Sequence, residues 1–166
     1  FVSPRVSALV RPDEQWTIRV SGGRGYFAPT PLTEETEATG LSRVAPLGVL
    51  RAERADNLSA DVTWRRGPFD VTATVFHSRV HDALDVRESG RVGFPMEIVN
   101  LDGTTRTHGT ELIAHYRREG NIDVIATHMY LRSTEPHEQE RREVPLNPRH
   151  SATFDVLKQI AAERPI

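Results

Sequence analysis

The chain has 166 residues, and its 21 Lys plus Arg against 23 Asp plus Glu leave a formal charge of −2, which excludes a nucleic-acid binder resting on bulk positive charge and an acidic disordered tail. A hydrophobic share of 37% and a charged share of 27% are those of an ordinary folded chain, and the length argues for one domain. The absence of Cys excludes disulfides, Cys-ligated zinc and thiol nucleophiles, and leaves oxidising and reducing compartments equally open.

In chain order, the first informative segment is Arg5 to Arg11, where Val6, Ala8 and Val10 alternate with Arg5, Ser7 and Arg11. That is strand periodicity. After the turn signal Pro12 to Gln15, Trp16, Ile18 and Val20 alternate with Thr17, Arg19 and Ser21. Leu58, Ala60, Val62 and Trp64 then oppose Ser59, Asp61, Thr63 and Arg65, and Arg66-Gly67-Pro68 turns the chain into Phe69, Val71, Ala73 and Val75 against Asp70, Thr72 and Thr74. Leu112, Ala114 and Tyr116 oppose Glu111 and His115 before the turn at 118 to 121, after which Ile122, Val124 and Ala126 alternate with Asp123, Ile125 and Thr127. A seventh predicted strand, Ser151 to Leu157, places Ala152, Phe154 and Val156 together. No run approaches the roughly 18 consecutive apolar residues of a membrane helix, and residues 1 to 11 lack the form of a signal peptide. Neither observation bears on a membrane crossed by strands.

The short turns alternate with long polar loops at roughly 27 to 55, 86 to 97 and 132 to 148. Tight turns at one end and long excursions at the other are the layout of an outer-membrane β-barrel. Trp16, Trp64, Phe69 and Tyr116 all lie on the apolar face beside the short turns, as a membrane-interface girdle would. The lesser reading is four aromatics that cap the edge of a soluble β-core. The opposite face carries Arg19, Asp61, Arg65, Asp70, Glu111 and Asp123, too many charges for a dry sandwich core but suited to a watery lumen or open solvent.

Specific strings then become informative. Ser3-Pro-Arg-Val-Ser-Ala-Leu-Val-Arg-Pro12, followed by Trp16-Thr-Ile-Arg-Val-Ser-Gly-Gly-Arg-Gly-Tyr-Phe-Ala-Pro-Thr30, resembles the barrel region of TonB-dependent outer-membrane receptors. Leu50-Arg-Ala-Glu53 stands where that family often has Leu-Lys-Pro-Glu, and Thr74-Val-Phe-His-Ser-Arg-Val-His-Asp82 resembles its strand ending in an aromatic and Asn-x-Ile-x-Asp. Val99 to Leu112 looks like the family's Asn-(variable)-Gly-x-Glu-Leu strand, and Val144-Pro-Leu-Asn-Pro-Arg-His-Ser151 like a string that opens a later strand. Phe27 stands where the family usually has Arg, Ala52 replaces its usual Pro, and residues 154 to 160 depart from a lipid-facing strand.

The resemblance implies an all-β chain of antiparallel up-and-down strands forming part of a transmembrane β-barrel of about 22 strands around an N-terminal plug. It implies location in the bacterial outer membrane, contact with the lipid bilayer, and TonB-coupled uptake of a scarce small-molecule ligand such as a siderophore or other metal chelate. Residues 1–166 would supply about seven of these strands as one partial barrel domain, without the plug and without the part that contacts the TonB complex. The smallest single-chain membrane barrels have about eight strands, so the isolated piece is expected to aggregate or refold into another sheet.

No chemistry of the enzymatic kind emerges, and no catalytic residue, cofactor or nucleic-acid partner is expected. Gly-x-Ser-x-Gly is missing, and Gly22-Gly-Arg-Gly25 lacks the Lys-Ser/Thr of a phosphate loop and reads as a bend or bulge. His77 and His81 would have Cα atoms roughly 13 Å apart on a strand, too far to share a metal ion, and His108, His115, His128, His137 and His150 are scattered. Ligand contacts are expected at the loop end, from Arg24, Tyr26 and Phe27 above the second strand, Arg43, Arg51 and Arg54 in the first long loop, and Arg132, His137, Arg141 and Arg142 in the third. These would form a cationic rim for anionic chelates, although Glu35, Glu37, Glu135, Glu138 and Glu140 lie in the same loops. The alternative is a soluble or secreted β-sandwich that binds a ligand such as a glycan.

Overall fold

The computed structural model describes residues 2–29, 44–46, 48–118, 122–137, 140–145 and 148–158. Its largest unit is one antiparallel sheet. The strands are β1 (Arg5–Val10), β2 (Trp16–Phe27), β3 (Glu53–Arg66), β4 (Phe69–His81), β7 (Thr104–Arg118), β8 (Ile122–His137) and β10 (His150–Lys158), side by side in chain order without a crossover. All seven predicted strands are present. The turn before β2 is held by Asp13, whose carboxylate accepts from the backbone N–H of Gln15 at 2.8 Å and of Trp16 at 2.9 Å.

Three further strands lie where long loops were expected. β5 (Leu84–Arg91) and β6 (Phe94–Asn100) form their own hairpin within the second excursion, and β9 (Glu140–Glu143) folds back onto the end of β8 in the third. Arg132 and His137 therefore belong to β8, Arg54 to β3, and Arg141 and Arg142 to β9 rather than to loops. The ladder continues in these regions while both faces become polar, so the alternation that marks a strand in sequence disappears. Gly22 to Gly25 is no bulge either, since β2 and β3 stay in unbroken register from Trp16↔Trp64 to Phe27↔Glu53.

Among the described residues no second sheet covers this one, so the β-sandwich alternative does not describe the fold. Apolar side chains that a sandwich would bury stand open, with Val6 at 76% and Phe154 at 69% exposure. Among the described residues the buried large or small apolar side chains, Val44, Ala45, Ile98 and Leu101, lie outside the main sheet, around the β5–β6 hairpin. There Val44 bridges Met96, Ala45 N donates to Met96 O, and Leu101 N donates to Ala83 O. Asn100 ties the two excursions together: its Oδ1 accepts from Arg51 N at 2.8 Å, and its Nδ2 donates to Arg51 O at 3.0 Å and Asp82 O at 2.6 Å.

Candidate ligand cleft at the loop end of the sheet

Register assigns every strand residue to one of two faces, because side chains alternate. One face begins at the turn end with aromatic pairs. Trp16 lies opposite Trp64 with ring centroids 6.4 Å apart, and Phe69 opposite Tyr116 at 5.0 Å. It continues through the rows Ile18–Val62–Ala73–Leu112 and Val20–Ala60–Val75. Beyond Leu58 and His77 it becomes charged, with Arg24, Asp56, Arg79 and Arg106 in one row.

The other face is mainly polar, with Phe76, Ile113, Ile125 and Leu131 set among its polar residues. Ser21 and Ser59 share a hydrogen bond of 2.7 Å, Thr63 and Thr72 one of 2.9 Å, and Thr107 and Ser133 one of 2.9 Å. Ion pairs join Arg65 to Asp70 at 2.6 Å, Arg117 to Asp123 at 3.2 Å and Arg19 to Asp61 at 3.9 Å. These groups find their partners on the neighbouring strand, which lets the face meet water, while the buried His115 Nε2 makes no hydrogen bond and lies 3.6 Å from Asp123 Oδ1.

At the loop end the polar face runs into a cleft of about 440 Å³ lined by Asp85, Arg87, Leu101, Asp102, Glu135, Pro136, His137 and Arg142. That is the size of pocket that small molecules occupy. The β5–β6 hairpin supplies one wall, and the extended end of β8 with β9 supplies the other. Gly103 lets the walls close: its φ is +115°, and a Cβ there would stand 2.8 Å from the Pro136 ring. Arg142 reaches Glu135 at 2.7 Å and Arg87 reaches Asp85 at 3.2 Å, and Asp102 adds a third carboxylate, so the cleft is lined by two ion pairs and one further acid rather than a cationic rim.

The structure divides the sequence-predicted contact residues. His137 and Arg142 line the cleft, and Phe27 shares their face. Arg24, Tyr26, Arg54, Arg132 and Arg141 lie on the opposite, outward face by register. Arg51 is occupied in the loop junction, its Nη2 3.0 Å from Asp82 Oδ1, and Arg43 falls outside the described residues. Sequence reading missed Asp85, Arg87, Leu101 and Asp102, because only the hairpin fold of the second excursion brings them beside β8. On β9, hydrogen bonds from Arg149 foremost, and then from Arg132, hold the Glu143 carboxyl below its usual range, while burial and then the Arg106 charge lower the Arg141 guanidinium. Among the described residues no cluster of His, Asp or Glu has the makings of a metal site.

A single-layer antiparallel meander, apolar on one face and hydrogen-bonded polar on the other, defines a segment of transmembrane barrel wall. The chain belongs to the family described as TonB dependent receptor-like, beta-barrel, which matches residues 1–158. Solved structures share the fold. The FrpB iron transporter from Neisseria meningitidis (F3-3 variant) superposes with a TM-score of 0.63 at 24% identity, over 79% of this chain and 19% of its own. The copper transporter OprC gives 0.69 at 17% identity, over 96% and 24%, and the FpvAI–pyocin S2 complex 0.66 at 9%, over 97% and 21%. The chain thus spans about a fifth to a quarter of the length of these structures. No curated protein matches it.

Proposed function

We propose that this chain forms wall and mouth of an outer-membrane receptor that imports a scarce ligand, a siderophore or other metal chelate, with energy coupled through TonB. The grading of the outward face carries the reading. From Phe69 to Arg79 the strand rises about 33 Å, or about 25 Å along the normal at a tilt near 40°, which is the height of the apolar band of an outer-membrane barrel. Trp16, Trp64, Phe69 and Tyr116 then sit at one membrane interface and the cleft stands beyond the other. The chain's work is containment and recognition, with no bond made or broken.

The neighbours named as iron and copper transporters support a metal-bearing ligand. The cleft recognises it through groups that exchange partners: Arg142 leaves Glu135 to meet an anionic chelate, and Arg87 leaves Asp85. The test is the full-length gene product. It is expected in the outer-membrane fraction, migrating faster unheated than heated, and to take up a radiolabelled ferric siderophore only when TonB is present. Arg142→Ala lowers apparent affinity for an anionic chelate by about tenfold. A gene product found only in the soluble fraction, or unchanged uptake without TonB, overturns the reading.

A further inference from the structure

The outward face carries a feature that ligand import does not use. Arg79 on β4 and Arg106 on β7 are register partners, directly opposite each other on adjacent strands, and both are exposed. Like charges in that relation destabilise a sheet. The carboxylates within reach of this rim are already engaged: Asp56 by Arg24 at 2.6 Å, His81 at 3.4 Å and Arg54 at 3.8 Å, and Glu143 by Arg149 at 2.7 Å and Arg132 at 3.1 Å. Arg79 donates only to His77 Nε2, at 3.0 Å, and among the described residues no carboxylate pairs with Arg79 or Arg106. Arg141 adds a third guanidinium to the same neighbourhood, its Nη2 clamped on the carbonyls of Thr104 and Thr134, each at 2.9 Å.

We propose that Arg79 and Arg106 form a binding site for the phosphorylated headgroup of an outer-leaflet lipid. Two guanidinium forks a strand spacing apart present charge-assisted donors to one phosphate group. The pair stands where the apolar band ends: below it on the outward face of the same two strands come His77 and His108, and beyond them the exposed Val75, opposite Thr110, and Leu112, opposite Ala73. A headgroup held at the arginines would lay its acyl chains along those side chains, which a soluble anion could not do.

The proposal rests on the reading of the apolar face as lipid-facing, and the test separates the two. The full-length receptor is placed in nanodiscs of phosphatidylcholine with or without lipid A, and the lipid A retained after purification is measured. The variant with both Arg79→Ala and Arg106→Ala is expected to retain about tenfold less, while Arg117→Ala, on the polar face at the turn end, retains as much as wild type. Equal retention by the double variant overturns the site and leaves the barrel reading intact, and failure of wild type to enter phosphatidylcholine nanodiscs overturns both. Displacement by pyrophosphate as readily as by lipid A would make the site one for a soluble anion and overturn the lipid assignment. Should the double variant not fold, wild-type retention that stays constant as salt rises would overturn the proposal equally.

Discussion

Gly109 shows how closely the polar face is fitted. It lies opposite Phe76, and a Cβ at that position would stand 2.6 Å from the Phe76 ring while also running into the carbonyl of Tyr130. The ring covers the missing side chain, so Gly109→Ala forces Phe76 away and strains the ladder. We expect a loss of about 1–3 kcal/mol in chemical unfolding of the full-length barrel. Asn100 is the equivalent single point of failure in the excursions, since its amide makes three hydrogen bonds to Arg51 and Asp82. Asn100→Ala is expected to speed hydrogen exchange at the Ala45 and Leu101 amides by about tenfold or more, leaving the β3–β4 amides unchanged.

At the scale of elements, β9 is a short strand tied down by charge. Glu143 holds Arg149 and Arg132 with its carboxyl below the usual range, so its contribution is fully present above the unfolded value and is lost as pH falls through the lower folded one. Amide exchange in β9 should therefore quicken below about pH 4, and Glu143→Gln should remove that pH dependence. The seven long strands were legible in sequence because one face is apolar and the other polar wherever they cross the band. The excursions were not. In Glu140–Glu143 all four residues are charged, and in Leu84–Arg91 the alternation of Leu84 and Val86 with Asp85 and Arg87 ends after four residues, too short a run to mark a strand within a polar excursion. The cleft inherited that blindness, for half its lining comes from the hidden hairpin, whereas His137 and Arg142 were found through their charge in a long excursion.

Across the whole molecule, two faces with opposite solvents make a sharp mutational asymmetry. Val75 points outward and is 54% exposed, while its neighbour Thr74 points to the polar side between Asp61 and Glu111. Val75→Arg is expected to cost about 2–4 kcal/mol in the folding equilibrium of the full-length barrel in lipid, and Thr74→Arg far less. The same faces govern the chain on its own. With β1 and β10 unpaired on their outer edges among the described residues, and Val6, Val10, Phe154 and Val156 open, the isolated 166 residues should aggregate in plain buffer. A monodisperse monomer by light scattering would count against this.

The meander's strict order has one more consequence. Since every strand of the main path pairs with the one before it and runs opposite to it, β3 and β4 could be lost or duplicated together and β2 would still meet an antiparallel neighbour. A single strand could not. Walls of this kind can widen or narrow only by whole hairpins, and each gain brings one new excursion to the same rim.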